Sequence, residues 1–298
     1  VPVEIELPTE DLDNTKLKAF VWNSLNGMTP LALPNYTLTK TDKTDVTIHL
    51  VGDSTVADYT LTYYPQAGWG QMFKNYFRDD IKIVNHAKPG ESSKSFLNNG
   101  RWDTVLSGLK EGDYVFIQLC TNDQKADSYH SDAKTSYKNN LKRFIDDTRR
   151  KGATPILLTP PARGLTDNNK PVAIPNHGSY ATAIAEVAQQ YGVMLIDLLG
   201  AHYQMIIDGI SNAEGANEAA RVKAYMRDTF LVLDADDSRY VDDPLFIDSS
   251  YNTGKSIDDR THFCEYGADL LAGAVADALK EANHPLAAYM VEHTPVKK

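Results

Sequence analysis

Five short apolar runs, separated by segments of helical pattern, constrain this chain more than any other feature. They lie at Val46–Val51, Ile81–Val84, Tyr114–Leu119, Thr154–Leu158 and Val193–Leu198. Each is rich in Val, Ile, Leu or aromatic residues, as a strand covered on both faces should be. Between them the period changes. In Ala133–Arg150, the residues Tyr137, Leu141, Phe144, Ile145 and Thr148 recur at i, i+4, i+7, i+8 and i+11, the stripe of an amphipathic helix. Lys151-Gly152 then supplies a base in the last turn and a glycine stop. Further helices are expected over Tyr180–Tyr191, Ala201–Asp208, Ala216–Thr229 and Glu265–Glu281. Strand–helix alternation of this kind predicts an α/β fold, with a parallel sheet covered by helices on both faces.

The regular pattern begins at residue 44. Before it, residues 15–22 alternate polar and apolar like a half-buried strand, followed by a Thr-, Pro- and Asn-rich stretch. Residues 1–43 therefore read either as an N-terminal extension or as the remnant of an upstream β-module, which would make the chain part of a larger multi-domain protein. Residues 44–285 form the main domain and 286–298 a C-terminal tail. An acidic stretch, Asp234-Ala235-Asp236-Asp237 to Asp242-Asp243, lacks the glycine and terminal glutamate of an EF-hand and reads as a solvated loop rather than a calcium site.

The chain has 298 residues, enough for one large core, and a formal charge of −10. That acidic excess argues against nucleic acid as a partner, because phosphate binding needs a basic surface. No apolar run approaches the roughly 18–20 residues of a membrane span, so no membrane partner is expected. The N-terminus, Val1-Pro2-Val3-Glu4-Ile5-Glu6, lacks the basic and apolar regions of a signal peptide and reads as the start of a mature or excised fragment. Two cysteines, Cys120 and Cys264, exclude a disulfide-dense mini-domain and a four-thiolate zinc site.

Ligands of open parallel sheets bind beyond the C-terminal ends of the strands. Four polar blocks are expected there. Val51-Gly52-Asp53-Ser54-Thr55 follows the first strand, Asn85-His86-Ala87-Lys88-Pro89-Gly90-Glu91-Ser92-Ser93 the second, and Cys120-Thr121-Asn122-Asp123 the third. Asp259-Arg260-Thr261-His262 leads into the last helix. Taken singly, each is an ordinary turn or helix cap. Together they supply a hydroxyl, a glycine turn, a side-chain amide and an Asp/His pair to one face.

These residues resemble the blocks of the SGNH (GDSL-type) hydrolases. Gly52-Asp53-Ser54-Thr55-Val56-Ala57, Gly68-Trp69-Gly70-Gln71, Asn99-Gly100-Arg101-Trp102 and Asp259-Arg260-Thr261-His262-Phe263-Cys264-Glu265-Tyr266-Gly267-Ala268 are similar to the rhamnogalacturonan acetylesterase branch. The resemblance covers about residues 45–282. It implies a flavodoxin-like three-layer sandwich with a five-stranded parallel sheet, and hydrolysis of acetyl esters on plant polysaccharide. Where that family has Gly-x-Asn-Asp, this chain has Cys120-Thr121-Asn122-Asp123.

Ester hydrolysis through an acyl-enzyme needs a nucleophile, a base, an orienting carboxylate and oxyanion donors. Those roles fall to Ser54, His262 and Asp259, with the Ser54 and Gly90 amides and the Asn122 side chain as the oxyanion hole. A tight turn three residues long would place Asp259 on the far imidazole nitrogen. Neither Gly-x-Ser-x-Gly nor His-Glu-x-x-His occurs, so no α/β-hydrolase elbow and no zinc helix is expected, nor any metal or cofactor. Tyr63, Tyr64, Trp69 and Arg101 are candidate substrate contacts, with core placement the stronger reading for Trp69 and for Trp102. Lys88, Lys94 and Arg101 could form a basic patch. Cys120 and Cys264 stand beside Asn122 and His262 where the resembled family keeps small residues. A disulfide would tie the two loops together; the other reading is two buried thiols.

The expected partner is an acetylated plant polysaccharide or oligosaccharide, rhamnogalacturonan pectin or xylan, met by a secreted or cell-surface enzyme. A lipase or thioesterase of the same superfamily would share the blocks but need a broad apolar acyl pocket. A non-catalytic carbohydrate-binding protein would have a broken triad.

Overall fold

The computed structural model describes residues 46–164, 177–235, 237–240 and 242–297, together with the backbone of two-residue strands at 21–22, 30–31, 166–167 and 170–171. The chain divides into two compact units, residues 1–44 and 45–298. In the first, Val21–Trp22 pairs antiparallel with Pro30–Leu31. The rest of the strand expected over 15–22, and the choice between extension and β-module, lie outside the described residues.

In the second unit the elements run, in chain order, β1 Thr47–Gly52, β2 Gln66–Ala67, α1 Trp69–Phe73, β3 Lys82–Asn85, α2 Ser93–Asn98, α3 Arg101–Gly108, β4 Tyr114–Gln118 and α4 Ser136–Arg150. They continue as β5 Thr154–Leu158, α5 Ser179–Tyr191, β6 Met194–Ile196, α6 Leu198–Asn212, α7 Glu218–Thr229, β7 Phe230–Leu233, α8 Pro244–Ile247, β8 Ile257–Cys264 and α9 Glu265–Glu281. The parallel sheet has the order β3-β1-β4-β5-β6, with β1 in its centre half. This is the flavodoxin-like order, in which the chain reverses direction across the sheet at β1.

Strand periodicity splits the core into two. Successive side chains of a strand point to opposite faces. Ile48, Leu50, Phe116, Ile156 and Leu158 therefore meet Trp69, Phe73, Leu271, Val275 and Leu279 on one side. Val51, Val115, Ile117 and Leu157 meet Phe96, Trp102, Tyr137, Leu141, Phe144, Ile145 and Val187 on the other. Fully burying such a side chain is worth about 1.5–3 kcal/mol, so helices are held on both faces and the three-layer sandwich follows. The expected stripe of α4 is buried as a set: Tyr137, Leu141, Phe144, Ile145 and Thr148. The edge strands β3 and β6 are only half-covered, because each has one neighbour.

A second sheet has no counterpart in the sequence reading. β7, β8 and β2 form an antiparallel sheet in the order β7-β8-β2. Phe230-Leu231-Val232-Leu233 is buried at every position. Four apolar residues between a helix and an acidic run were the available signal. Among its described residues the acidic stretch is solvated only in part. Asp237 is buried on Arg239, at 2.6 Å, and Arg227, at 3.2 Å. Asp243 caps α8 and accepts a hydrogen bond from the Tyr64 hydroxyl at 2.8 Å. Residues 286–297 lie back on the domain: Leu286 is fully buried, the Val291 amide bonds the Tyr76 carbonyl at 3.0 Å, and His293 meets Asp269 at 2.8 Å.

Candidate active site

Ser54 follows the C-terminal end of β1, in a turn that Asp53 organises. The buried Asp53 carboxylate accepts from the Thr55 amide at 3.0 Å and the Thr55 hydroxyl at 2.8 Å, and the Val56 and Ala57 amides turn back to the Asp53 carbonyl. Beneath the turn runs a buried relay. Trp69 Nε1 donates to Gln118 Oε1, and Gln118 Nε2 donates to the Thr55 hydroxyl, each at 2.7 Å. Gly68 and Gly70 let α1 lie directly on this turn. A Cβ on either would stand 2.4 Å from the Ala57 or Val56 carbonyl.

The general feature that brings His262 to Ser54, 208 residues away, is the second sheet. β8 pairs with β2, the segment just after the nucleophile turn, through Phe263↔Ala67 and Cys264↔Gln66. On its other edge Leu231 faces Asp259 and Phe230 faces Phe263. Arg260, Thr261 and His262 are therefore extruded as a bulge within a strand, rather than forming a turn at a strand end. Asp259 Oδ1 closes the bulge by accepting from the Thr261 amide at 2.9 Å and the His262 amide at 3.1 Å. Its Oδ2 faces His262 Nδ1 at 2.7 Å, and His262 Nε2 lies 2.9 Å from Ser54 Oγ. The resulting tautomer has Nδ1–H donating to the carboxylate and Nε2 open to the serine proton. Burial alone would raise the Asp259 carboxyl. The hydrogen bond and charge of His262, with the two backbone amides, outweigh it and bring the pKa down to about 2.

Gly90 occupies the third position of a turn, Lys88-Pro89-Gly90-Glu91, closed by the Glu91 amide on the Lys88 carbonyl. Its φ is +86°, a conformation glycine adopts without strain, and the turn uses the amide of Glu91 rather than that of Gly90. Asn122 is buried after β4, and its Nδ2 donates to the Glu91 carbonyl at 2.9 Å. An amide nitrogen has two hydrogens, so one stays available.

Two residues of the second block to which the sequence reading gave no role hold this arrangement together. Glu91 is buried and accepts from the Ser95 hydroxyl and Asn99 Nδ2, with Arg101 Nε at 3.3 Å. Asn85 Nδ2 donates to the Val56 carbonyl at 2.8 Å while its Oδ1 accepts from the Ala87 amide at 3.1 Å, joining the nucleophile turn to the glycine loop. Neither stood out, because an isolated Glu or Asn has no period to reveal it. Behind the asparagine loop, Asp123 accepts from the Ser93 amide and hydroxyl, and burial pushes its carboxyl up to about 6.

Of the remaining expectations some hold and some need correction. Trp69 is fully buried, committed to Gln118 and edge-on to Phe73, so it does not contact substrate. Trp102 is buried too, donating to Asp147 at 2.8 Å. Tyr64 is 3% exposed beneath the rim, because Asp243 draws its hydroxyl inward, whereas Tyr63 is 46% exposed. Arg101 braces the glycine loop through Glu91 and the His86 carbonyl, at 3.4 Å, and does not reach out as a free cation. Lys88 and Lys94 are exposed. Cys120 and Cys264 are both free and buried, without a disulfide. Cys120 Sγ packs against Gln124 and His177, whereas Cys264 Sγ donates to the Asp228 carbonyl. Among the described residues no group of three or more His, Cys, Asp or Glu side chains is placed to hold a metal ion.

The pattern of the GDSL-like Lipase/Acylhydrolase family matches residues 50–240. The chain belongs to that family. It is accordingly a carboxylic ester hydrolase. It is 32% identical over 251 residues to the rhamnogalacturonan acetylesterase RhgT of Bacillus subtilis, covering 84% of this chain and 96% of that one. The probable rhamnogalacturonan acetylesterase YesY of the same organism is 31% identical over 242 residues, covering 80% and 94%. Among solved structures, the Bacillus subtilis protein YxiM superposes with a TM-score of 0.60 at 26% identity, over 80% of this chain and 56% of its own.

Proposed function

We propose that this chain removes O-acetyl groups from acetylated plant polysaccharide, through an acyl-enzyme on Ser54, as a secreted or cell-surface enzyme. The observation that carries the reading is the continuous line Ser54 Oγ–His262 Nε2–Asp259, at 2.9 and 2.7 Å, with the Gly90 turn tied to the end of β1 by the Lys88 amide on the Gly52 carbonyl and to Asn122 through the Glu91 carbonyl. His262 Nε2 takes the Ser54 proton as Oγ attacks the acetyl carbonyl, and Asp259 stabilises the imidazolium. The oxyanion is met by the Ser54 and Gly90 amides and the second hydrogen of Asn122 Nδ2. Imidazolium then protonates the departing sugar hydroxyl. A water molecule, deprotonated by the same nitrogen, releases acetate and restores Ser54.

Rhamnogalacturonan is favoured over xylan as the polymer. Two relatives that the chain matches over most of its length carry that substrate in their names. The formal charge of −10 would repel an anionic pectin, but the exposed Lys88 and Lys94 flank the Gly90 turn and make the rim locally positive. The experiment is acetate release from acetylated rhamnogalacturonan and acetylated xylan in parallel, in excess EDTA, with Ser54→Ala as control. Release from the pectin that disappears in the variant is expected. Unchanged release by Ser54→Ala would overturn the mechanism, and preference for xylan would overturn the choice of polymer.

A further inference from the structure

On one side of Ser54 the chain builds a wall that the ester chemistry does not require. Tyr59 Oη donates to the Ser54 carbonyl at 2.9 Å, and its amide is held by Gln71 Oε1 at 2.8 Å. The Tyr59 ring meets Tyr63 edge-on at 6.0 Å, and Tyr63 meets Tyr251 edge-on at 6.4 Å. Tyr251 is anchored behind the triad: its hydroxyl donates to the buried Gln66 Oε1 on β2. The two segments that carry these rings are stitched together. The Ser250 amide and hydroxyl both donate to the Thr62 carbonyl, at 2.7 and 2.6 Å, and Ser249 Oγ donates to the Tyr64 carbonyl. A loose loop would not need so many cross-links, so the wall is held in a fixed shape.

Its outer surface is apolar. Among the described residues seven large hydrophobic side chains are exposed, and four of them stand here: Leu61 at 62%, Tyr63 at 46%, Leu245 at 43% and Ile247 at 62%. Four exposed apolar side chains on two segments stitched together beside Ser54 favour a binding role for this part of the surface. Exposed hydroxyl and amide side chains of Thr60, Thr62, Ser250 and Asn252 border it. Rings with an apolar face and polar edges match a pyranose, which has apolar C–H faces and a belt of hydroxyls. A lipid tail would leave that polar border unmatched.

We propose that Tyr63, braced by Tyr59 and Tyr251, is the floor of a subsite for the sugar ring adjoining the acetylated one. The proposal rests on the carbohydrate esterase reading. Binding there sets which polymers are held long enough to react, whereas a small aryl ester occupies only the space between Ser54 and Gly90.

The test compares KM and kcat on acetylated rhamnogalacturonan oligosaccharide, acetylated xylo-oligosaccharide, 4-nitrophenyl acetate and 4-nitrophenyl octanoate. Tyr63→Ala should raise KM on the preferred oligosaccharide about tenfold more than on the aryl acetate, with little effect on kcat. Tyr63→Phe, which keeps the ring, should restore the wild-type KM. Tyr129→Ala, an exposed aromatic elsewhere, should change neither substrate. An equal effect of Tyr63→Ala on oligosaccharide and aryl acetate would overturn the subsite and leave a structural role. So would the absence of any effect, or a loss confined to 4-nitrophenyl octanoate, which would indicate an acyl groove. Oligosaccharide turnover that survives Ser54→Ala, or none by the wild type, would instead bring down the esterase reading itself.

Discussion

The two halves of the candidate triad are built by opposite means. Ser54 is 7% exposed and stands on a turn carried by a buried line that runs from Asp53 through Thr55 and Gln118 to Trp69. Asp259 and His262 keep 33% and 28% of their side chains exposed and are held by a bulge that Asp259 closes on itself. The nucleophile needs only a fixed position, so it is welded to the core. The imidazole must change charge during the reaction, and partial exposure lets water share in solvating that charge. A perturbation of the first half should therefore register in stability, and one of the second in rate.

Asp259→Asn tests the second half most severely. Asparagine Oδ1 can still accept from Thr261 and His262, so the bulge should persist. Its nitrogen, however, now faces Nδ1 and imposes the wrong tautomer. A loss of roughly 10⁴-fold in kcat with unfolding behaviour close to wild type is expected, by analogy with the serine-protease change of the same kind. A small rate loss would show that the carboxylate is dispensable. Asn122→Ala should be milder, about 10²–10³-fold in kcat with KM little changed, as for loss of one oxyanion donor.

Gln118→Leu turns the comparison around. It leaves the buried Trp69 Nε1 without an acceptor, a cost of about 1–3 kcal/mol in urea unfolding. The accompanying fall in kcat should be smaller than that of either site variant. If rate fell while stability held, the welded-turn account would fail.

Acidification is the gentlest probe. Burial lowers His86 and His177 to about 4 and His202 to about 3, so these imidazoles stay neutral in the folded chain. The ordinary value of an imidazole is 6.5, so between pH 6.5 and 4 the unfolded chain takes up protons that the folded chain refuses. Stability is greatest above that window and falls through it. Asp123 works the other way: raised to about 6, it favours the folded state as pH falls. Burial also lowers His49 and His284, so five imidazoles against Asp123 predict a net drop in Tm from pH 6.5 to 4. Asp259, at about 2, stays ionised throughout, and its contribution is lost only between about pH 4 and 2. His177→Gln should flatten the slope, and an unchanged slope would remove His177 from this account.

Much of this was legible in the residues. Period-two and period-3.6 patterns are local, so the five strands and the stripe of α4 could be read directly. Ser54, Gly90 and Asn122 were separable because strand ends are where such residues gather, whereas Asp259 and His262 stood out as a spaced pair just before the last helix. Tyr64 was misplaced because an aromatic residue has no local mark that tells a rim from a core: Asp243 draws it inward, while Trp69, held by Gln118, takes the core position that was the stronger of its two readings. The cysteine pairing failed likewise, since nearness to two loops in sequence does not fix the direction of a thiol.

By itself, then, the sequence determined an α/β domain with its chemistry at the C-terminal ends of parallel strands, because each of those features rests on neighbours within a few residues. Tertiary structure decided how His262 reaches Ser54. That depends on a two-residue strand, Gln66–Ala67, pairing with β8, and on β7 forcing Arg260–His262 out as a bulge. Pairings of such short strands have no periodicity to announce them; they form because the core beneath has already brought their edges together.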